Sequence, residues 1–179
     1  MKTCKHPKIA KQLMVNFLNS ACDLGTYNTD GEFDPIYITM IRGDEFSAEI
    51  VSDIDDCEEL EIEYNFNSLD DEGAKLFRKY WTDKVPMLKG FSTIVLTLLH
   101  ELGHLETQEE IRKEFSREMR DVVWAIIDMS CNTNAEKNLR YFAMPDETAA
   151  TEWAIEWLSD ADHRKRAKAF EAKFFKCFA

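Results

Sequence analysis

The sequence contains few cysteines, few turn-forming residues and no long hydrophobic run. Its five cysteines are scattered, odd in number and without a Cys-X-X-Cys pair, which argues against a disulfide framework or a cysteine-type zinc site. Only six glycines and four prolines occur in 179 residues, and no linker-like tract or internal repeat divides the chain. We therefore expect a single domain over residues 1–179.

Positive charge is also scarce. Twenty-two Lys and Arg against 34 Asp and Glu leave a formal net charge of −12, and a field of that sign repels nucleic-acid phosphates and anionic membrane surfaces. The apolar stretch at 94–99 is too short to span a bilayer, and no apolar run of signal-peptide length follows the N-terminal lysines. We expect a cytoplasmic protein that binds neither nucleic acid nor membranes. Nothing in the composition points to a particular oligomeric state.

The sequence does contain 45% hydrophobic residues, in a pattern that changes along the chain. Pro7 is typical of a helix start, and the segments 36–41, 48–51 and 60–67 have the β-branched content or the alternation of strands. From residue 68 onward the pattern is helical. We therefore predict an α+β fold in which a small antiparallel sheet in the N-terminal half packs on a mainly helical C-terminal half. The predicted helices cover 68–81, 91–106, 108–129, 135–141, 146–158 and 160–176.

Residues 99–104 read Leu-His-Glu-Leu-Gly-His and contain an HExxH motif. On a helix, His100 and His104 face the same way, so both imidazoles can bind one metal ion. Glu101 is placed where its carboxylate can reach a water on that metal. Zinc lowers the pKa of such a water towards about 7, and the carboxylate removes its proton during attack on a carbonyl. The competing interpretation is two histidines that are merely hydrogen-bonded in a core.

Gly103 lies between the two motif histidines and costs helix propensity. We expect it to let another backbone approach this helix closely. The segment 91–99 before the motif is apolar, so the helix should be buried and rigid.

The third metal ligand is expected from further along the chain. A metzincin needs Gly at 107 and His at 110, but this chain has Thr107 and Glu110, which together form a capping box and predict a new helix there. Glu147 is the best candidate, because it starts a helix face that continues with small side chains and can pack against Gly103. Glu147 could instead only complement the helix dipole. Glu152 and His163 are the alternative ligands.

The motif pair resembles the ImmA/IrrE-type metallopeptidases, a gluzincin-like group common in bacteria, mobile elements and phages. His100, Glu101 and His104 match the family's HExxH, and Glu147-X-X-Ala-X-X-Trp-Ala matches its later glutamate helix. The resemblance implies a zincin-like fold, a Zn²⁺ cofactor, and a protein or peptide substrate such as a transcriptional repressor encoded nearby.

The chain departs from the family's pattern in two places. Thr151 stands where the family usually has Asn, which leaves open the contact that steadies a ligand histidine. The interval between His104 and Glu147 is longer than in the family, so we expect an inserted helix near 108–129.

Two functions follow from these residues. The first is a zinc-dependent metallopeptidase that hydrolyses a peptide bond, with Glu101 as the base, and that acts on a regulatory partner protein. The second is a non-catalytic metal-binding regulatory or phage/prophage accessory protein on the same scaffold. Glu101 favours the first function, because metal binding alone does not need that carboxylate. A hydrolase also needs a donor for the oxyanion, and Tyr141 and His163 are the candidates.

Overall fold

A computed structural model describes five stretches of the chain, namely residues 4–21, 37–42, 47–52, 58–64 and 72–179. The chain contains two compact units, one formed by Met1–Leu69 with Leu158–Ala179 and the other by Asp70–Trp157. A single folding domain can contain two such units, so one domain over residues 1–179 stays a prediction. The predicted strand residues 36 and 65–67 and the predicted helix start at 68–71 lie outside the described residues.

The described elements are mainly helices. In chain order they are α1 (Pro7–Ala21), β1 (Tyr37–Arg42), β2 (Ser47–Ser52), β3 (Glu58–Tyr64), α2 (Glu72–Lys84), a 3₁₀ helix (Pro86–Gly90), α3 (Thr93–Glu114), α4 (Arg117–Ser130), α5 (Asn134–Tyr141), α6 (Pro145–Ser159), α7 (Ala161–Phe174) and a second 3₁₀ helix (Phe175–Phe178). Within the described residues, no helix is long and apolar enough to cross a membrane.

The predicted α+β fold is wrong in the form stated above. Side chains are described in residues 4–21 and 72–179. Of these residues 87% are helical, and none lies in a strand. The three strands form a backbone sheet of order β1-β3-β2, in which β1 is parallel and β2 antiparallel to β3. The sheet is therefore mixed and not antiparallel. Alternating residues predict a strand, but they contain no information on the direction of its partner.

In the first unit, α1 packs against α7. The rings of Phe17 and Phe170 stack with their centroids 4.5 Å apart, and Arg166 donates a hydrogen bond of 3.1 Å to the carbonyl oxygen of Ser20. Met14 and Leu18 on the same side of α1 are fully buried.

In the second unit, α3 runs through the point where a helix break was predicted. The hydroxyl of Thr107 donates to the carbonyl oxygen of Gly103 at 2.8 Å, so it bonds within its own helix and does not cap a new one. The break comes at Phe115, and Ser116 Oγ accepts from Met119 N at 3.3 Å as the N-cap of α4. The helix expected near 108–129 is therefore α4, which starts later than predicted.

Candidate metal centre

Helix α3 supplies the two motif histidines from a buried position. Leu98, Leu99 and Leu102 around them are fully buried, so the helix has a fixed orientation in its unit. The rings of His100 and His104 lie edge to face, with centroids 4.7 Å apart. One helical turn therefore places both imidazoles at one location, as the spacing predicts.

Gly103 is the contact point between α3 and α6. A Cβ at this position would lie 2.9 Å from Cα and from the carbonyl carbon of Ala150, and closer still to its carbonyl oxygen. Those atoms are backbone and cannot rotate away. The expected close approach of a second backbone at Gly103 is confirmed, and it places Glu147, one turn before Ala150, beside the histidines.

The three residues proposed as ligands come together. Glu147 Oε2 lies 3.1 Å from His100 Nε2 and 3.6 Å from His104 Nε2, and all three donor atoms lie within 4.8 Å of one another. Donor atoms of a tetrahedral zinc site with bonds of 2.0–2.1 Å are about 3.3 Å apart. The two distances from the Glu147 carboxylate to the imidazoles are close to that spacing, so this buried group could hold a metal ion.

The alternative third ligands are not part of this group. Glu152 lies on the exposed side of α6, whereas Glu147 is only 2% exposed. His163 belongs to α7 and to the other compact unit. In the described part of the chain, the cluster of possible ligands contains Glu147 and neither alternative.

Two neighbours fix the ring of His100. Its Nδ1 lies 2.8 Å from Thr151 Oγ1, and the ring of Phe77 packs edge-on at a centroid distance of 5.0 Å. A threonine hydroxyl can both accept and donate a hydrogen bond, so it can pair with either tautomer of the imidazole. When Nδ1 donates to Thr151, the lone pair of Nε2 faces the other two donor atoms. Thr151 thus makes the contact that the sequence left open.

Arg120 on α4 is a site residue that the sequence analysis missed. Its Nε donates to Asp146 Oδ2 at 2.5 Å, and its Nη2 donates to Tyr141 Oη at 3.0 Å and to Glu147 Oε1 at 3.3 Å. Arg120 precedes Glu147 by 27 residues, on a different helix. No local spacing links the two, so only the fold brings them together.

The charges of the site favour a cation between the ligands. Burial alone would raise the pKa of Glu147, but hydrogen bonds to His100 and His104 outweigh it and hold that pKa far below its ordinary value. Burial alone would lower the pKa of His104, but the Glu147 carboxylate raises it. The carboxylate is therefore ionised, and it favours positive charge at His104.

Glu101 is placed differently from the ligands. It is half-buried and does not belong to the group of donor atoms. Burial raises its pKa above the usual value for a glutamate, while the nearby His100 and His104 lower it in part. A carboxylate beside a metal site, with a raised pKa and no ligand role, fits a general base.

Of the two candidate oxyanion donors, Tyr141 lies within the network around Glu147. Its hydroxyl accepts a hydrogen bond from Arg120 and donates its own proton to the Glu147 carboxylate. Burial and the charge of Glu147 raise the pKa of Tyr141, so the phenol stays protonated at neutral pH. His163 is in the other unit.

Comparison of the chain with family models, curated proteins and solved structures finds no match. The expected membership of the ImmA/IrrE-type group therefore stays a prediction that depends on two short motifs.

Proposed function

We propose that this chain is a zinc-dependent metallopeptidase in which His100, His104 and Glu147 bind Zn²⁺ and Glu101 is the catalytic base. The observation that carries the proposal is the convergence of the three donor atoms within 4.8 Å. It is supported by the position of Glu101, which follows the first ligand and is not itself a ligand.

The donor set supports a catalytic zinc site more than a structural one. Structural zinc is usually held by four protein ligands, whereas catalytic zinc is held by three and has an open position. Two imidazoles and one carboxylate are also the donors of non-haem iron sites. The identity of the metal is therefore the first quantity to measure.

The residues have distinct tasks in hydrolysis. When bound, zinc supplies a water of lowered pKa and polarises the carbonyl of the substrate. Glu101 accepts the proton of the attacking water and can pass it to the leaving amine. The Tyr141 hydroxyl can donate to the developing oxyanion when its proton turns from the Glu147 carboxylate to the substrate.

The motif pair supports the proposal that this chain is a divergent ImmA/IrrE-type member. By resemblance, such a member, encoded in a prophage, cleaves a regulatory protein or peptide. The three described cysteines, Cys4, Cys131 and Cys177, are free thiols, which supports a reducing, cytoplasmic location. The net charge of −12 supports a substrate other than nucleic acid.

Elemental analysis of purified protein beside the variants His100→Ala and Glu147→Ala tests the metal site. We expect about one zinc per chain in the parent and loss of zinc in both variants. Retention of zinc by Glu147→Ala would exclude Glu147 as the third ligand. Stoichiometric iron in place of zinc would refute the assignment of zinc as the cofactor.

A comparison of Glu101→Gln with Glu110→Gln separates catalysis from metal binding. Glu110 is an exposed residue of the same helix and serves as the matched control. Cleavage is measured as new N-termini, by mass spectrometry, in a proteome-derived peptide library with blocked amines. We expect Glu101→Gln to keep zinc and lose cleavage, and Glu110→Gln to keep both. Zinc without cleavage in the parent would favour the non-catalytic metal-binding function.

A further inference from the structure

The two carboxylate oxygens of Glu147 have different partners. Oε2 faces the Nε2 atoms of His100 and His104, at 3.1 and 3.6 Å. Oε1 accepts a hydrogen bond from Arg120 Nη2 at 3.3 Å. One oxygen is therefore directed at the candidate metal position, and the other is bound by a cation from a helix that contributes no ligand.

Arg120 is itself held in place from two sides. Its Nε donates to Asp146, the residue next to Glu147 on α6, and its Nη2 also donates to the hydroxyl of Tyr141. The planar guanidinium directs its N–H groups in fixed directions, which an ammonium does not. Asp146 and Glu147 both lie in the first turn of α6, so Arg120 bonds to two adjacent side chains of that turn.

Burial makes the contact with Glu147 important for the geometry of the site. The side chain of Glu147 is 2% exposed and that of Arg120 is 41% exposed. A buried carboxylate oxygen that loses its hydrogen-bond donor is destabilised unless it contacts another donor or a cation. The Tyr141 hydroxyl also bonds to Glu147, but it is itself held by Arg120, so loss of Arg120 loosens both contacts and leaves the carboxylate free to turn its second oxygen towards the metal position.

We propose that Arg120 is a positioning residue that makes Glu147 a monodentate metal ligand and thereby leaves a coordination position for water. The inference rests on the proposed function. By occupying Oε1, Arg120 prevents the second carboxylate oxygen from turning towards the metal. Without Arg120, Glu147 binds through both oxygens and takes the position that hydrolysis needs for water.

Cobalt(II) bound in place of zinc provides the test, because four-coordinate cobalt(II) has intense visible bands and five-coordinate cobalt(II) has weak ones. Visible absorption of the cobalt-loaded full chain is recorded for the parent, Arg120→Met and Arg117→Met. Arg117 is an exposed residue of the same helix and is the matched control. We expect intense bands in the parent and in Arg117→Met, and loss of the intense bands in Arg120→Met.

A second variant, Asp146→Asn, loosens Arg120 while keeping its charge. We expect a partial loss of band intensity in this variant, so the test does not depend on the folding of Arg120→Met alone.

Bands of parental intensity in both variants would overturn the positioning role. A tighter metal affinity in Arg120→Met with an unchanged spectrum would also overturn the positioning role. It would show that Arg120 acts only through the repulsion between its positive charge and that of the metal. A parent that binds neither cobalt nor zinc would overturn the proposed function itself, an outcome distinct from the other two.

Discussion

Gly103→Ala changes a single hydrogen to a methyl group at the contact between α3 and α6. The new Cβ would lie 2.9 Å from two backbone atoms of Ala150, whereas carbon atoms in favourable contact are about 3.5–4.0 Å apart. The two helices must therefore separate locally by roughly 1 Å. Because Glu147 is one turn from Ala150, this separation also moves the carboxylate away from His100 and His104.

Two opposing effects decide the stability of this variant. Overpacking costs about 1–3 kcal/mol, and a clash with backbone belongs to the upper part of that range. Alanine in a helix interior gains about 1 kcal/mol over glycine. We expect a net loss of about 1–2 kcal/mol in the free energy of unfolding, seen as a decrease of about 2–8 °C in Tm.

The effect on metal binding is expected to be larger than the effect on stability, because a site displaced by about 1 Å loses its ligand geometry. We expect zinc affinity, measured by competition with a chromophoric chelator, to weaken at least about tenfold. Gly90→Ala is the matched control, since no atom from outside its immediate chain neighbourhood lies within 4 Å of the position of its added Cβ. Zinc affinity and Tm at the parental level in Gly103→Ala would refute the close-packing argument.

Three further predictions follow from the same structure. Thr151→Val removes the hydroxyl that pairs with His100 Nδ1 and should weaken zinc binding about 10–100-fold in a chelator competition. Thr151→Ser should bind zinc like the parent, and equal affinities of the two variants would exclude a role for the hydroxyl. Zinc at about 100 times its Kd should stabilise the parent by about 2.7 kcal/mol in thermal unfolding, and His100→Ala should show no such gain; a gain of equal size in this variant would place the metal elsewhere. Thr133→Ala removes the N-cap of α5, whose Oγ1 accepts from Glu136 N at 3.2 Å, and should cost about 1 kcal/mol in a denaturant titration without changing zinc content; an unchanged denaturation midpoint would contradict the capping role.

The sequence alone determined those parts of the candidate site that depend on local spacing. His100 and His104 are one turn apart in any helix, and Glu101 follows the first of them in any conformation. Gly103 and the small side chains after Glu147 indicated the close approach of α6, because tight packing of two helices requires small residues on both. These features are properties of short segments, so a linear pattern is sufficient to predict them.

Only the tertiary structure decided which distant groups complete the site and how the elements pair. Thr151 contacts a histidine 51 residues away, and Arg120 reaches a carboxylate 27 residues away, so neither contact leaves a periodic signal. The hydroxyl of Thr107 bonds within α3 although its sequence matches a helix cap. The parallel pairing of β1 with β3 likewise depends on how the chain crosses between them. Hydrogen bonds between residues far apart in sequence form only once packing has brought the segments together, and this is why the strand pairing and the Arg120 network could not be predicted from the residues alone.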